Sequence, residues 1–138
     1  MRKTKFRLLA LAVCAAAFGL LVSCAADKPF STEGLSAEEV FQRAQDASDK
    51  GNNQLAIDYY AAVPEKFPDD TAHGIWATYE TAFLYRKMGK NEDALALINQ
   101  ILDRYAKDGN SLPPAPQVLA QKLKIKLEAA IAKTPKKP

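Results

Sequence analysis

An active site needs acids, bases, nucleophiles or metal ligands that converge, and this chain holds few such groups, far apart. His73 is the only histidine of the 138 residues, beside a turn and followed by Gly74. The two cysteines, Cys14 and Cys24, belong to an apolar segment far upstream of it. With no second histidine and no cysteine of its own domain to join it, His73 reads as a solvated turn residue. The carboxylates come in pairs, Glu38-Glu39, Asp69-Asp70 and Glu92-Asp93, and each pair stands where a helix is expected to begin. There they offset the positive end of the helix dipole, which makes them capping groups rather than catalytic dyads. The sequence holds no phosphate-cradling glycine loop. The expectation is a chain that is not an enzyme, with no cofactor, no metal and no small-molecule substrate.

Cys24 is the residue with chemistry of another kind. The chain opens with four cations, Arg2, Lys3, Lys5 and Arg7, followed by an uncharged, proline-free apolar run from Leu8 to Val22. That is the pattern of an export signal. At about 15 residues the run is shorter than the roughly 20 that a spanning helix needs, so a permanent membrane helix fits less well. The run ends in Leu21-Val22-Ser23-Cys24, which resembles the lipobox of bacterial lipoproteins: an aliphatic residue, a tolerant position, a small residue, then cysteine. The resemblance implies a lipid-carrying Cys24 at the start of the mature chain, with residues 1–23 removed. Cys14 follows the bulky Val13 and does not fit the cut. A disulfide is then not expected, because Cys14 leaves and Cys24 becomes a thioether. Ala25 and Ala26 lack the aspartate that marks inner-membrane retention in enteric-type bacteria. In a two-membrane organism the periplasmic face of the outer membrane is therefore expected.

Removing the signal also removes its four cations, and the formal charge falls from +3 to −1. Nucleic-acid binding loses its compositional support. What remains is an asymmetry: residues 24–85 carry 4 basic and 11 acidic groups, and residues 86–138 carry 11 and 5.

The elements that position these residues are helices. Residues 24–35 are polar and broken by Pro29 and Gly34, and read as a tether. Ser36-Ala37-Glu38-Glu39 is a capping box that opens a first helix to about Lys50. Gly51 ends it; a second helix starts at Asn52 or Asn53, carries Ile57, Tyr60 and Val63 on one stripe, and stops at Phe67-Pro68. A third runs from about Thr71 to Met88, before Gly89. Asn91 can cap a fourth, whose Ala94, Leu95, Ile98, Ile101, Leu102 and Tyr105 recur at helical spacing. Prolines 113, 114 and 116 suit the first turn of a fifth helix to about Ala132, and residues 133–138 form a basic tail.

Gly51 and Gly89 lie 38 residues apart, and each is followed five residues later by an alanine, Ala56 and Ala94. A fixed period of this kind marks stacked helical hairpins. It resembles the tetratricopeptide repeat, a helix-turn-helix of 34 residues, with about four extra residues between units. With Gly51 at the inter-helix turn, unit one spans residues 37–70 and matches at Ala44, Ala47, Ala56, Tyr60 and Pro68. Unit two spans residues 75–108 and matches at Ala82, Tyr85 and Ala94, but sets Thr78 and Thr81 where large apolar residues are usual and Ala106 where proline is usual. A further step brings Leu119, Ala120 and Leu123 to core positions but Leu127 to the glycine, so the fifth helix reads as a capping half repeat. The expected fold is all-α: two tetratricopeptide-like helical hairpins plus a C-terminal capping helix over residues 36–132. The Phe67-Pro68-Asp69-Asp70 ending is similar to that of bacterial outer-membrane barrel-assembly lipoproteins, which usually carry more repeats.

That resemblance also assigns a concave groove to certain positions of each first helix. In unit two these are Trp76, Tyr79, Phe83 and Arg86, side-chain types enriched at binding hot spots. In unit one they are Glu38, Phe41, Gln45 and Ser48, and the fifth helix adds Gln117, Gln121 and Lys124. The expected partner-binding residues are Phe41, Trp76, Tyr79, Phe83, Arg86 and Lys124. Two readings of the aromatic stripe stand: groove, or core, since Thr78 and Thr81 under-fill the expected core face. Two functions follow, a lipid-anchored envelope scaffold that holds a protein or peptide partner in the groove, and a structural lipoprotein that self-associates.

Overall fold

The protein is described by a computed structural model, over residues 29–134. The expected signal segment, Cys24 and the end of the basic tail lie outside the described residues. Five helices follow one another: α1 (Ala37–Asp49), α2 (Asn53–Lys66), α3 (Thr71–Lys87), α4 (Asn91–Asp108) and α5 (Pro114–Lys133), with a 3-10 turn, Gly109–Ser111, before the last.

The capping box forms in both directions: the Ser36 hydroxyl accepts from the Glu39 amide at 3.3 Å, and the Glu39 carboxylate accepts from the Ser36 amide at 2.8 Å. α1 then buries Ala37, Val40, Ala44 and Ala47, one stripe at helical spacing. Its end is a left-handed closure. Gly51 has φ +79°, and the Asn52 amide reaches the Ala47 carbonyl while the Gly51 amide reaches that of Ser48. The same closure recurs after α3, with Gly89 at φ +77°, Lys90 bonded to Tyr85 and Gly89 to Arg86. Only glycine adopts this backbone without strain, which is why the 38-residue glycine spacing is visible at all.

The closure also fixes which residue caps the next helix, the one immediately after the glycine. In unit one it is Asn52, whose side chain accepts from the Leu55 amide at 3.3 Å. In unit two it is Lys90, which makes no side-chain cap bond, and Asn91 is already the first helical residue. The expectation that Asn91 caps α4 is therefore corrected: it stands one position too late. Lys90 instead sets its ammonium 5.4 Å from the centre of the Tyr85 ring.

Pro64 lies inside the last turn of α2, ahead of the Phe67-Pro68 stop. Its missing N–H leaves the Tyr60 carbonyl without a helical bond. α3 begins where the Asp70 carboxylate accepts from the His73 amide at 3.1 Å. Gly74, buried in that first turn, lets α3 close on α2, since a Cβ there would sit 3.6 Å from the Pro64 Cβ. At the far end the Tyr105 hydroxyl donates to the Pro113 carbonyl, tying α4 to the proline-led start of α5.

Each helix packs on its neighbour in sequence, and α1 also touches α3 as α3 touches α5. That second set of contacts stacks the hairpins into a row. Two buried clusters result, one around Val40, Ala56, Tyr60 and Val63, the other around Ile98, Ile101, Ala120 and Leu127. Ala44 and Ala56 in unit one, and Ala82 and Ala94 in unit two, are fully buried, so the paired backbones approach closely. Each large aliphatic side chain in these clusters contributes roughly 1.5–3 kcal/mol by leaving water. Ahead of α1 the chain is not free: Phe30 packs on Tyr59 at 4.9 Å between ring centres, and the Ser31 amide donates to the Tyr59 hydroxyl at 3.4 Å. Among the described residues no helix is long and apolar enough to cross a membrane.

Candidate partner-binding groove

The first helices of the successive units, α1, α3 and α5, touch in series, and the sides they turn away from α2 and α4 form one face. On α3 the inward side carries Ile75, Ala77, Ala82 and Leu84, all buried. Thr81 is buried among them and spends its hydroxyl on the Ala77 carbonyl at 2.9 Å, as half-buried Thr78 does on that of Gly74. A threonine that bonds its own helix needs no other partner. The two threonines thus complete the inward side, and the aromatic stripe does not replace them there.

The stripe lies on the other side. Trp76 and Tyr79 are half-buried and meet edge to face at 6.1 Å, Phe83 is 37% exposed, and Arg86 is exposed. Tyr79 leans on the second cluster. Burial pushes its hydroxyl pKa up, Glu80 adds to this, and Arg86 opposes it. Phe41, the counterpart of Tyr79 in unit one, is half-buried with its ring 5.1 Å from Tyr60 and 5.8 Å from His73. His73 is itself half-exposed and bound by its Nδ1 to the Asp70 carboxylate at 2.8 Å, so it is a paired first-turn residue of α3 rather than a solvated turn. Lys124 is turned toward α4: its ammonium donates to the Asn99 side chain at 2.9 Å and lies 3.8 Å from Glu128. Its charge is engaged within the fold.

Between α1 and α3 the face deepens into a cleft of about 570 Å³. Gln45, Ser48 and Phe83, all expected groove positions, line it together. So do residues that sequence reasoning missed: Gln42 and Asp49 from α1, Tyr60 from α2, and Glu80 and Lys87 from α3. Glu80 has no ion-pair partner among the described residues, and burial raises its carboxyl pKa. Burial, with Glu80 and then Asp49 adding to it, pushes the Tyr60 hydroxyl well above the usual tyrosine range. The only available signal was Glu80 itself, a carboxylate set among Trp76, Tyr79 and Phe83 on one helix. Among the described residues no three histidines, cysteines or carboxylates stand together as metal ligands would.

The sequence model of the tetratricopeptide repeat matches residues 76–108. The fold is all-α and tetratricopeptide-like. The matched span begins at Trp76 and ends with α4, which is unit two of the 38-residue period. An uncharacterized protein of Treponema pallidum (strain Nichols) is 33% identical over 84 residues, which are 60% of this chain and 34% of that relative. The chain therefore spans about a third of the length of the curated relative it matches. No solved structure matches. A tetratricopeptide repeat supports the binding of protein partners, and the groove side of α1 and α3 is where this chain offers unfilled aromatic and polar groups.

Proposed function

We propose that this chain is a lipid-anchored scaffold of the bacterial envelope that holds a segment of another envelope protein in the groove of α1, α3 and α5. The observation that carries it is the stripe of Trp76, Tyr79, Phe83 and Arg86, none of them fully buried, of which Tyr79 leans on the second cluster and Phe83 lines the cleft beside α1. Half-buried aromatics are held rigidly and still have surface to give a partner, so ordering them on binding costs little. The chain binds and positions; it does not catalyse. Cys24, at the end of the lipobox-like Leu21-Val22-Ser23-Cys24, supplies the anchor. Two or three acyl chains, at about 0.8 kcal/mol per buried methylene, hold where one would not. Ala25 and Ala26 favour the outer membrane's periplasmic face.

Capture of envelope proteins by the wild type and by the Trp76→Ala/Tyr79→Ala double variant tests the groove. A partner lost from the variant, with its helical circular dichroism unchanged, is the expected result, and an unchanged partner set sinks the groove. Feeding labelled fatty acid tests the anchor: Cys24→Ala should carry no label, and label that persists overturns it.

Self-association has its own support. α5 exposes Val118 at 48% and Ile125 at 68%, seven residues apart on one side of the helix, with exposed Ala115, Ala129 and Ala132 at matching spacing. A copy pairing through this side should fall to monomer in Ile125→Asp by analytical ultracentrifugation. A monomeric wild type removes this reading.

A further inference from the structure

We propose that the cleft between α1 and α3 is a socket for a basic side chain, lysine or arginine, presented by an extended segment of the partner. The inference rests on the groove reading above and gives that groove its chemical preference.

Tyr60 supplies the first argument. Only 2% of it is exposed, its ring is held against Phe41, and it lines the cleft, yet its hydroxyl bonds to no protein group among the described residues. The one fully buried unpartnered side-chain oxygen among the described residues is that of Asn53, so the Tyr60 hydroxyl stays open to the cleft as an acceptor for a group that enters it. Glu80 and Asp49 supply the second. Both line the same space, both act on the Tyr60 hydroxyl, and neither forms an ion pair within the described fold. Lys87 also lines the cleft, so the lining carries two carboxylates against one ammonium. An anion would meet net repulsion there.

What fits is a group with several N–H donors and a positive charge. An ammonium or guanidinium can donate to the Glu80 carboxylate and to the Tyr60 oxygen at once, and charge-assisted bonds of this kind are the strong ones. The exposed Phe83 ring lies along the same wall, and a cation or its aliphatic stem packs well on an aromatic face. Gln45, on the α1 wall, offers its amide to the backbone beside the inserted residue, while the Gln42 amide nitrogen donates to the Asp46 carboxylate at 3.4 Å. The volume of about 570 Å³ leaves room for that backbone as well as the side chain. Charge balance along the chain agrees, since residues 24–85, which build α1, α2 and most of α3, carry 11 acidic groups against 4 basic.

The test uses the full chain in detergent micelles and arrays of randomised hexapeptides in four sets, whose fourth position is fixed as arginine, citrulline, lysine or glutamate. Citrulline keeps the shape of arginine and removes the charge. The arginine or lysine set should bind about tenfold more tightly than the citrulline and glutamate sets. Glu80→Gln should shrink that ratio to about twofold, and Tyr60→Phe should reduce it with the helical signal intact. Binding with no preference for the basic sets, still weakened by Trp76→Ala/Tyr79→Ala, overturns the socket and leaves the groove standing. A basic preference that survives both Glu80→Gln and Tyr60→Phe overturns it too, because the charge is then read elsewhere. Failure of every set to bind overturns socket and groove together.

Discussion

Glu80 and Asp70 are carboxylates ten residues apart, and their surroundings drive them in opposite directions. Glu80 is desolvated and forms no ion pair among the described residues, so its folded pKa lies above its unfolded one. Its contribution favours the fold at low pH and is lost as pH rises through the folded value. Glu80→Gln should therefore raise the urea midpoint at pH 7, with the gain vanishing toward pH 4; a loss of stability at pH 7 would contradict this. Asp70 is held below its ordinary value, first by the His73 amide and then by the His73 ring. Its stabilisation is present above the unfolded pKa and is lost as pH falls through the folded one. Asp70→Ala should cost about 1 kcal/mol at pH 7, a typical N-cap loss, and less in acid. At this scale the sequence was only partly legible. Asp70 is recognisable as a capping group from its place before a helix, whereas the Glu80 and Tyr60 pairing is not. Tyr60 reads as a filler between helices, which it is; that its hydroxyl reaches a cleft depends on how far α1 and α3 stand apart.

At the scale of elements, three glycines separate two uses of the same residue. Gly51 and Gly89 have positive φ with nothing within 4 Å of an added Cβ, so alanine there meets backbone strain and no clash. Each Gly→Ala change should cost about 1–2 kcal/mol by urea unfolding. Gly74 is helical, and a Cβ there makes only an ordinary contact with Pro64. Gly74→Ala should be neutral or stabilising by up to about 1 kcal/mol. A stabilised Gly51→Ala, or a Gly74→Ala loss above that size, would show that the closures or the α2–α3 contact are misread. The five helices were legible to within a residue or two because their stops are made of glycine and proline. The cap of α4 was not, because the closure that follows α3 decides it, and Asn91 is the more usual capping residue by type. Pro64 lies inside the last turn of α2, and the helix runs on to stop only at Phe67-Pro68, as expected.

At the scale of the whole molecule, the described residues form a row of two hairpins and one further helix, and the 38-residue period carries most of that arrangement. Fully buried Ala44, Ala82 and Ala120 are successive steps of the period. The departures at Thr78 and Thr81 looked like an under-filled core, and the hydroxyl bonds to their own helix explain why they are not. Which side of α3 stays open follows from those bonds rather than from the repeat signature alone.

The packing of Phe30 on Tyr59 changes the reach of the chain. If Cys24 carries lipid, the chain length between that anchor and the first packed residue is counted from Cys24 to Phe30 instead of to Leu35, at most about 20 Å in place of about 35 Å. The volume swept by the domain falls by about fivefold, and the effective concentration it offers to partners close to the bilayer rises by the same factor. Phe30→Ala would restore the longer span. The same groove, with unchanged affinity in solution, would then occupy a membrane-proximal partner less fully.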